Sequence, residues 1–241
     1  MMRAFSLAEA REWLQATLAG ARTDAGELWF DGVSTDTRLV GDGQLFVALR
    51  GERFDGHEFL GQALTQGAVA AVVDTEVTDV AIPQLVVSDT VQALADLASA
   101  NRSGSAARLV AITGSSGKTT VREMTGAILA GMGPTLVTEG NLNNHIGVPL
   151  TLFRLTPDHQ FGAIELGASG LGEIAHTVSI TRPQVAILTN AGQAHLEGFG
   201  SYQNIVLAKG EIIDGVPADG DLHERDAAGQ PRGVRAEAVR L

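Results

Sequence analysis

Seven consecutive residues, Gly114-Ser115-Ser116-Gly117-Lys118-Thr119-Thr120, combine two glycines, four hydroxyls and a lysine next to an apolar run. Glycines let backbone N–H groups turn toward phosphate oxygens without a side-chain clash. Lys118 is placed to reach the β- and γ-phosphates of a nucleoside triphosphate, and the Thr119 hydroxyl can ligate magnesium. A helix opening at Lys118 adds the positive end of its dipole. The strict eight-residue phosphate-loop pattern would put a glycine at 112, where this chain has Ile112. The bland alternative is a Gly/Ser turn with an exposed lysine; the strand before and the helix after favour phosphate binding.

Other residues could join this chemistry. Glu165 ends an apolar run, where an isolated carboxylate is costly. A divalent cation or an arginine would answer that charge. His195 follows the next apolar run by a few residues and can face the same crevice, although a lone histidine is more often structural. Lys209, on its own, reads as a solvated helical charge. Asn141, Asn143 and Asn144 fit a turn. Ser34, Asp36 and Arg38 fit a polar surface, and the Arg38 guanidinium also suits a pyrophosphate.

These residues need elements to hold them. Ser6-Leu7-Ala8-Glu9 has the form of a capping box and predicts a helix to about Leu18, stopped by Gly20. Strands are expected at 45–49, 69–73 and 84–88, with a helix at 57–66 closed by Gly67. Asp89 is a candidate N-cap for a helix reaching Asn101. Arg102-Ser103-Gly104-Ser105 reads as a linker, which sets domains at 1–103 and 104–217. The second begins with a strand at 108–113 and a helix at 118–130. Further strands follow at 135–138, 161–166 and 184–189. Short apolar strands alternating with helices predict α/β domains with a mainly parallel sheet. Residues 218–241 are charged, rich in Gly and Ala, and expected to be disordered.

Composition excludes several classes. There are no cysteines, so disulfides, zinc–thiolate sites and thiol catalysis are ruled out. The net charge of −11 disfavours a nucleic-acid or anionic-membrane surface. No apolar run is long enough to span a bilayer and no signal-peptide pattern opens the chain, so a cytoplasmic protein is expected.

Several segments taken together resemble the Mur ligase family. In the second domain these are Gly140-Asn141-Leu142-Asn143-Asn144-His145-Ile146-Gly147-Val148-Pro149, Ile164-Glu165-Leu166-Gly167-Ala168, Asn190-Ala191-Gly192-Gln193-Ala194-His195-Leu196-Glu197 and Ala208-Lys209-Gly210-Glu211-Ile212. In the first they are Ser34-Thr35-Asp36-Thr37-Arg38, Gly43–Leu49 and Phe54-Asp55-Gly56-His57-Glu58-Phe59.

The resemblance implies an ATP-dependent ligase of peptidoglycan precursor synthesis. It would join D-alanyl-D-alanine to UDP-N-acetylmuramoyl-tripeptide through an acyl phosphate. It implies a UDP-substrate domain that uses Ser34, Asp36 and Arg38, and a central ATP domain. Asn141 would lie near the ATP phosphates and Asn143 and Asn144 near the muramyl substrate. Two magnesium ions are implied, one near Thr119 and Glu165, the other near His195 and a Lys209 carbamylated by CO2. Lys118, His195 and Lys209 would be catalytic. The likeness runs over about residues 20–217, which sets the expectation of a central domain cut short, inactive alone and prone to association, where an intact protein would be a monomer. The alternatives are a binding fragment that holds UDP-muramyl ligand or nucleotide without chemistry, a related ligase such as a folylpolyglutamate synthase, and a simple nucleotide switch. The last is disfavoured because no guanine-reading Asn-Lys-x-Asp segment is present.

Overall fold

The computed structural model describes residues 2–20, 27–192, 196–216, 221–225 and 231–235. The chain divides into two compact units, Met1–Gly104 and Ser105–Leu241.

The first unit contains β1 (Phe5–Ser6), α1 (Leu7–Trp13), β2 (Thr17–Ala19), β3 (Trp29–Phe30), β4 (Gly32–Ser34), β5 (Gln44–Val47), β6 (Arg50–Gly51) and β7 (Phe54–Asp55). A 3-10 turn (Gly56–Phe59) then leads into α2 (Leu60–Thr65), β8 (Ala70–Val73), β9 (Gln84–Val86) and α3 (Thr90–Ser103). Its main sheet has the order β2-β9-β8-β5-β4 and is parallel except for the β2–β9 pair. Leu45, Phe46, Val47 and every residue of β8 are buried. Strands covered on both faces have no use for polar alternation.

Three expectations change here. The Ser6 capping box forms in both directions, but α1 ends at Trp13 rather than near Leu18. Gln15 adopts a left-handed backbone (φ 49°), and Thr17–Ala19 then pairs antiparallel with β9. Gly20 therefore ends a strand. The helix expected at 57–66 begins as a 3-10 turn, with Asp55 accepting from the His57 N–H. Of the segment 102–105, Arg102 and Ser103 belong to α3 rather than to a linker, and the two units divide between Gly104 and Ser105. Asp89 does cap α3, accepting from the N–H groups of Val91 and Gln92.

The second unit runs through β10 (Arg108–Thr113), α4 (Lys118–Ala130), β11 (Thr135–Val137), α5 (Gly147–Leu152), β12 (Phe161–Glu165), α6 (Glu173–Thr181), β13 (Val185–Leu188), α7 (Leu196–Phe199) and α8 (Tyr202–Gly210). A 3-10 turn (Glu211–Gly215), β14 (Asp221–Arg225) and β15 (Pro231–Arg235) complete it. The sheet order is β11-β12-β10-β13-β14-β15, parallel throughout except for the final antiparallel pair. Ala111, Ile112, Ala163, Ile164 and Ala186 are buried at its centre.

The expected disorder of 218–241 does not hold for 221–225 and 231–235. β14 adds to β13 in register Val185↔Asp221 through Leu188↔Glu224, and β15 folds back on it. A free edge of β13 offers a row of backbone donors and acceptors, so pairing there does not need an apolar repeat.

Parallel strands bring their C-terminal ends to one edge of the sheet. The registers Ile112↔Glu165 and Thr113↔Leu188 set Glu165 on one side of the 114–117 loop and Thr189 on the other. Ligand sites in open α/β sheets form at this edge.

Candidate nucleotide and metal site

The loop after β10 follows from its glycines. Gly114 has φ 144° and Gly117 has φ 77°, both in territory that side chains disfavour. A Cβ at Gly114 would stand 2.0 Å from Thr189 Oγ1 and 3.0 Å from the Asn190 carbonyl oxygen. At Gly117 it would meet open space. No side chain caps α4, and a helix N-terminus presents N–H groups to an anion.

The two serines do something the sequence did not disclose. Ser115 N–H donates to the Asn190 carbonyl (3.0 Å) and its hydroxyl to the Gly192 carbonyl (2.8 Å). Ser116 N–H donates to Asn190 Oδ1 (3.2 Å), while its carbonyl accepts from Thr189 Oγ1 (2.7 Å) and Asn190 Nδ2 (3.1 Å). These bonds brace the loop against the end of β13 and leave the start of α4 and Lys118 as the groups an anion would meet. Lys118 Nζ donates back to the Gly114 carbonyl (2.8 Å), and Thr120 is exposed in the first turn.

Glu165 is buried at the end of β12. Its Oε2 accepts from Thr119 Oγ1 (3.1 Å) and Arg122 Nη1 (3.2 Å), and its Oε1 from Asn143 Nδ2 (2.8 Å). Both answers to the buried charge are therefore relevant: an arginine is present, and the oxygens also suit a cation. Thr119 Oγ1 and Glu165 Oε2 are 3.1 Å apart. Adjacent oxygens of an octahedral magnesium site, at about 2.0–2.1 Å from the ion, lie about 2.9 Å apart. The donor set fits magnesium.

Lys209 is not the solvated charge that its sequence context suggests. It is buried on α8, its Nζ donates to the Ala168 carbonyl (3.3 Å) and lies 5.2 Å from the centre of the Phe199 ring. Burial, helped by the positive charge of Lys118 and opposed by Glu173 and Glu211, pulls its amine down to about 8. Glu211 accepts from the N–H groups of Gly172 (2.7 Å) and Ala175 (3.0 Å), which ties the end of α8 to the start of α6. His195 lies outside the described residues. The described residues contain no cluster of three His, Cys, Asp or Glu that could hold a metal.

The asparagines part company. Asn143 reaches Glu165. Asn144 Oδ1 accepts from Ile146 N–H (3.2 Å) and Gly147 N–H (2.8 Å), a turn-and-cap role at the start of α5. Asn141 is exposed, and its carbonyl accepts from Asn143 N–H (2.7 Å).

In the first unit, Ser34 is buried and donates to the Asp36 carbonyl (3.0 Å). The Arg38 guanidinium pairs with the Asp36 carboxylate (2.6 Å) and holds it below its ordinary range. The Arg38 side chain remains 83% exposed. A cleft of about 550 Å³ opens here, lined by Thr35, Asp36, Arg38, Phe46, Phe54 and Phe59 among others. Phe54 and Phe59, the two ends of a segment that carries the family resemblance but had no role assigned from sequence, expose their rings here. Beside the cleft, His57 Nδ1 lies 2.6 Å from Asp55 Oδ1, and His57 Nε2 accepts from the Asp74 N–H (3.2 Å). Arg50 holds Asp74 with two bonds of 2.8 Å.

A glycine loop between a central parallel strand and an uncapped helix, facing a buried carboxylate, defines a phosphate-loop α/β protein. The Mur ligase middle domain matches residues 112–223, and the Mur ligase family catalytic domain matches residues 30–102. The chain belongs to the Mur ligase family. The UDP-N-acetylmuramoyl-tripeptide–D-alanyl-D-alanine ligase of Escherichia coli strain K12 is 51% identical over 219 residues, covering 91% of this chain and 47% of that protein. A crystal structure of MurF from Acinetobacter baumannii superposes with a TM-score of 0.85 at 38% identity, covering 93% of this chain and 49% of that one. MurF ligase from Thermotoga maritima, solved in complex with ADP, gives 0.76 at 34% identity over 82% of this chain and 46% of that one. The chain spans about half the length of the curated relatives it matches. Among the described residues, no helix is long and apolar enough to cross a membrane.

Proposed function

We propose that the protein to which these two units belong is an ATP-dependent ligase that joins D-alanyl-D-alanine to UDP-N-acetylmuramoyl-tripeptide in the cytoplasm. The observation that carries this reading is the start of α4: Lys118 and Thr119 follow the glycine loop, and the Thr119 hydroxyl meets the buried Glu165. The relatives named above share the assignment.

A free carboxylate forms an amide only after it gains a leaving group. In the proposed reaction the tripeptide carboxylate oxygen bonds the γ-phosphorus and ADP departs. The dipeptide amine then attacks the acyl phosphate carbon, loses a proton and expels phosphate. Lys118 would meet the β- and γ-phosphate oxygens and offset the charge of two anions brought together. Thr119 and Glu165 would hold one magnesium ion, and His195 and Lys209 a second. When bound, magnesium supplies charge neutralisation at the transferring phosphoryl group. Asn143, bonded to Glu165, would keep that carboxylate in place. Ser34, Asp36 and Arg38, with the cleft beside them, would take the UDP end of the substrate, Asn141 would lie near the ATP phosphates, and Asn144 would lie near the muramyl substrate.

Lys209 is proposed to carry a carbamate. Its nitrogen lone pair would bond the carbon of CO2 with loss of a proton, exchanging a cation for an anionic oxygen ligand. A buried amine held near 8 has an appreciable neutral fraction at pH 7–8, which supports this step.

The whole protein, given ATP, magnesium, UDP-N-acetylmuramoyl-tripeptide and D-alanyl-D-alanine, is expected to yield UDP-N-acetylmuramoyl-pentapeptide and ADP in equal amounts by mass spectrometry. ADP release that ignores both acceptors, or that follows a pteroate substrate instead, would overturn the assignment.

A further inference from the structure

Arg122 has no part in the chemistry proposed above, yet its charge lies at the centre of the site. It sits on α4 three residues after Thr119 and is only 4% exposed. Nη1 donates to Glu165 Oε2 (3.2 Å) and to the Gly140 carbonyl (2.8 Å), and Nη2 pairs with Glu123. Its Nε is the one buried side-chain nitrogen or oxygen among the described residues without a hydrogen-bond partner. The guanidinium is therefore placed for Glu165 and Gly140, at the expense of its own full satisfaction. One side chain joins the phosphate-loop helix, the end of β12 and the segment that begins Gly140-Asn141.

Glu165 Oε2 is shared between the Thr119 hydroxyl and this guanidinium. A magnesium ion held by Thr119 and Glu165 would meet the same oxygen, with a fixed positive charge beside it. Two cations on one carboxylate oppose each other strongly where water is excluded. The arginine also explains how a carboxylate stays buried and aimed before a cation arrives, because an unpaired one would be severely penalised.

We infer that Arg122 is a positioning residue, the resident counter-ion of Glu165, and that its charge sets the magnesium concentration at which the site fills. This rests on the reading of Thr119 and Glu165 as magnesium ligands. It assigns to Arg122 two linked effects: the carboxylate is held ready, and magnesium is kept from binding tightly without nucleotide.

The test measures ADP affinity of the chain by titration calorimetry, with magnesium and with chelator, in the native protein, Arg122→Met and Arg122→Lys. The readout is the ratio of the two affinities. Removing the charge should raise the magnesium enhancement about tenfold, equivalent to about 1.4 kcal/mol. Arg122→Lys keeps the charge and should stay within about threefold of native, since a conserved charge preserves the opposition. A purely structural arginine would lower both affinities together and leave the ratio unchanged, and that result overturns the inference alone. If Arg122→Met does not fold, Arg122→Gln carries the same contrast against Arg122→Lys. A native chain whose ADP affinity ignores magnesium overturns the magnesium reading and this inference with it.

Discussion

Replacing Gly114 by alanine tests whether the loop is held in one conformation by the end of β13. The new Cβ would stand 2.0 Å from Thr189 Oγ1 and 3.0 Å from the Asn190 carbonyl oxygen. Thr189 Oγ1 donates to the Ser116 carbonyl, and the Asn190 carbonyl accepts from Ser115 N–H, so neither can move without releasing the loop. The backbone at φ 144° adds its own penalty for any side chain. Together a disfavoured backbone of roughly 1–2 kcal/mol and an overpacked contact of roughly 1–3 kcal/mol give a loss of about 3 kcal/mol. Gly117→Ala is the control. Its φ of 77° carries a similar backbone penalty, but its Cβ meets open space, so its stability loss should be about 1 kcal/mol. Urea unfolding and ADP titration of the three proteins read the outcome. Gly114→Ala should lose about 3 kcal/mol of stability and bind ADP at least roughly tenfold more weakly, as a displaced loop would carry the start of α4 and Lys118 away from the phosphates. Equal stability losses for the two variants, with native affinity in Gly114→Ala, would refute the bracing argument.

Other consequences are simpler to check. Arg50 holds the Asp74 carboxyl at about 2, below its ordinary 3.8, so the pair contributes stability that is complete above pH 3.8 and is lost as pH falls toward 2. Allowing for solvent at this partly exposed pair, the loss is about 1 kcal/mol, and Asp74→Asn should flatten the native protein's extra acid sensitivity in that window. With 13C-labelled bicarbonate at pH 8, the native protein should show a carbamate resonance that Lys209→Met lacks; identical spectra would remove the modification from the account. Arg38→Ala should weaken UDP binding roughly tenfold, the scale of one charge-assisted bond to phosphate, and unchanged UDP affinity would move the substrate site elsewhere.

How much could be read from the residues alone differs from element to element. The bounds of β10 and α4 were legible because an apolar run stops at a glycine and a helix-forming run starts at Lys118. The caps at Ser6 and Asp89 were legible because their hydrogen bonds are local. The end of α1 was not, since Thr17-Leu18-Ala19 continues a helical pattern and only pairing with β9 makes it a strand. Residues 221–225 follow the same rule, since the strand they pair with, β13, is remote in sequence, and 231–235 in turn pair with 221–225. At the site, Lys118, Thr119 and Glu165 came from a motif and from a charge in an apolar strand. Arg122 carried a signal that could have been used, a basic residue on α4 three positions from Thr119 and hence on the same face. The burial of Lys209 and the bracing by Asn190 depend on tertiary contacts and had no local signature.

The most direct test of the central claim is titration of the chain with ATP and magnesium in the native protein and in Lys118→Ala. A lysine that meets the γ-phosphate contributes about 1.5–3 kcal/mol through a charge-assisted bond. The account predicts saturable binding by the native chain and an affinity at least roughly tenfold lower in Lys118→Ala, with the urea unfolding midpoint unchanged. Equal ATP affinity in the two proteins, or no ATP binding by the folded native chain, would contradict it.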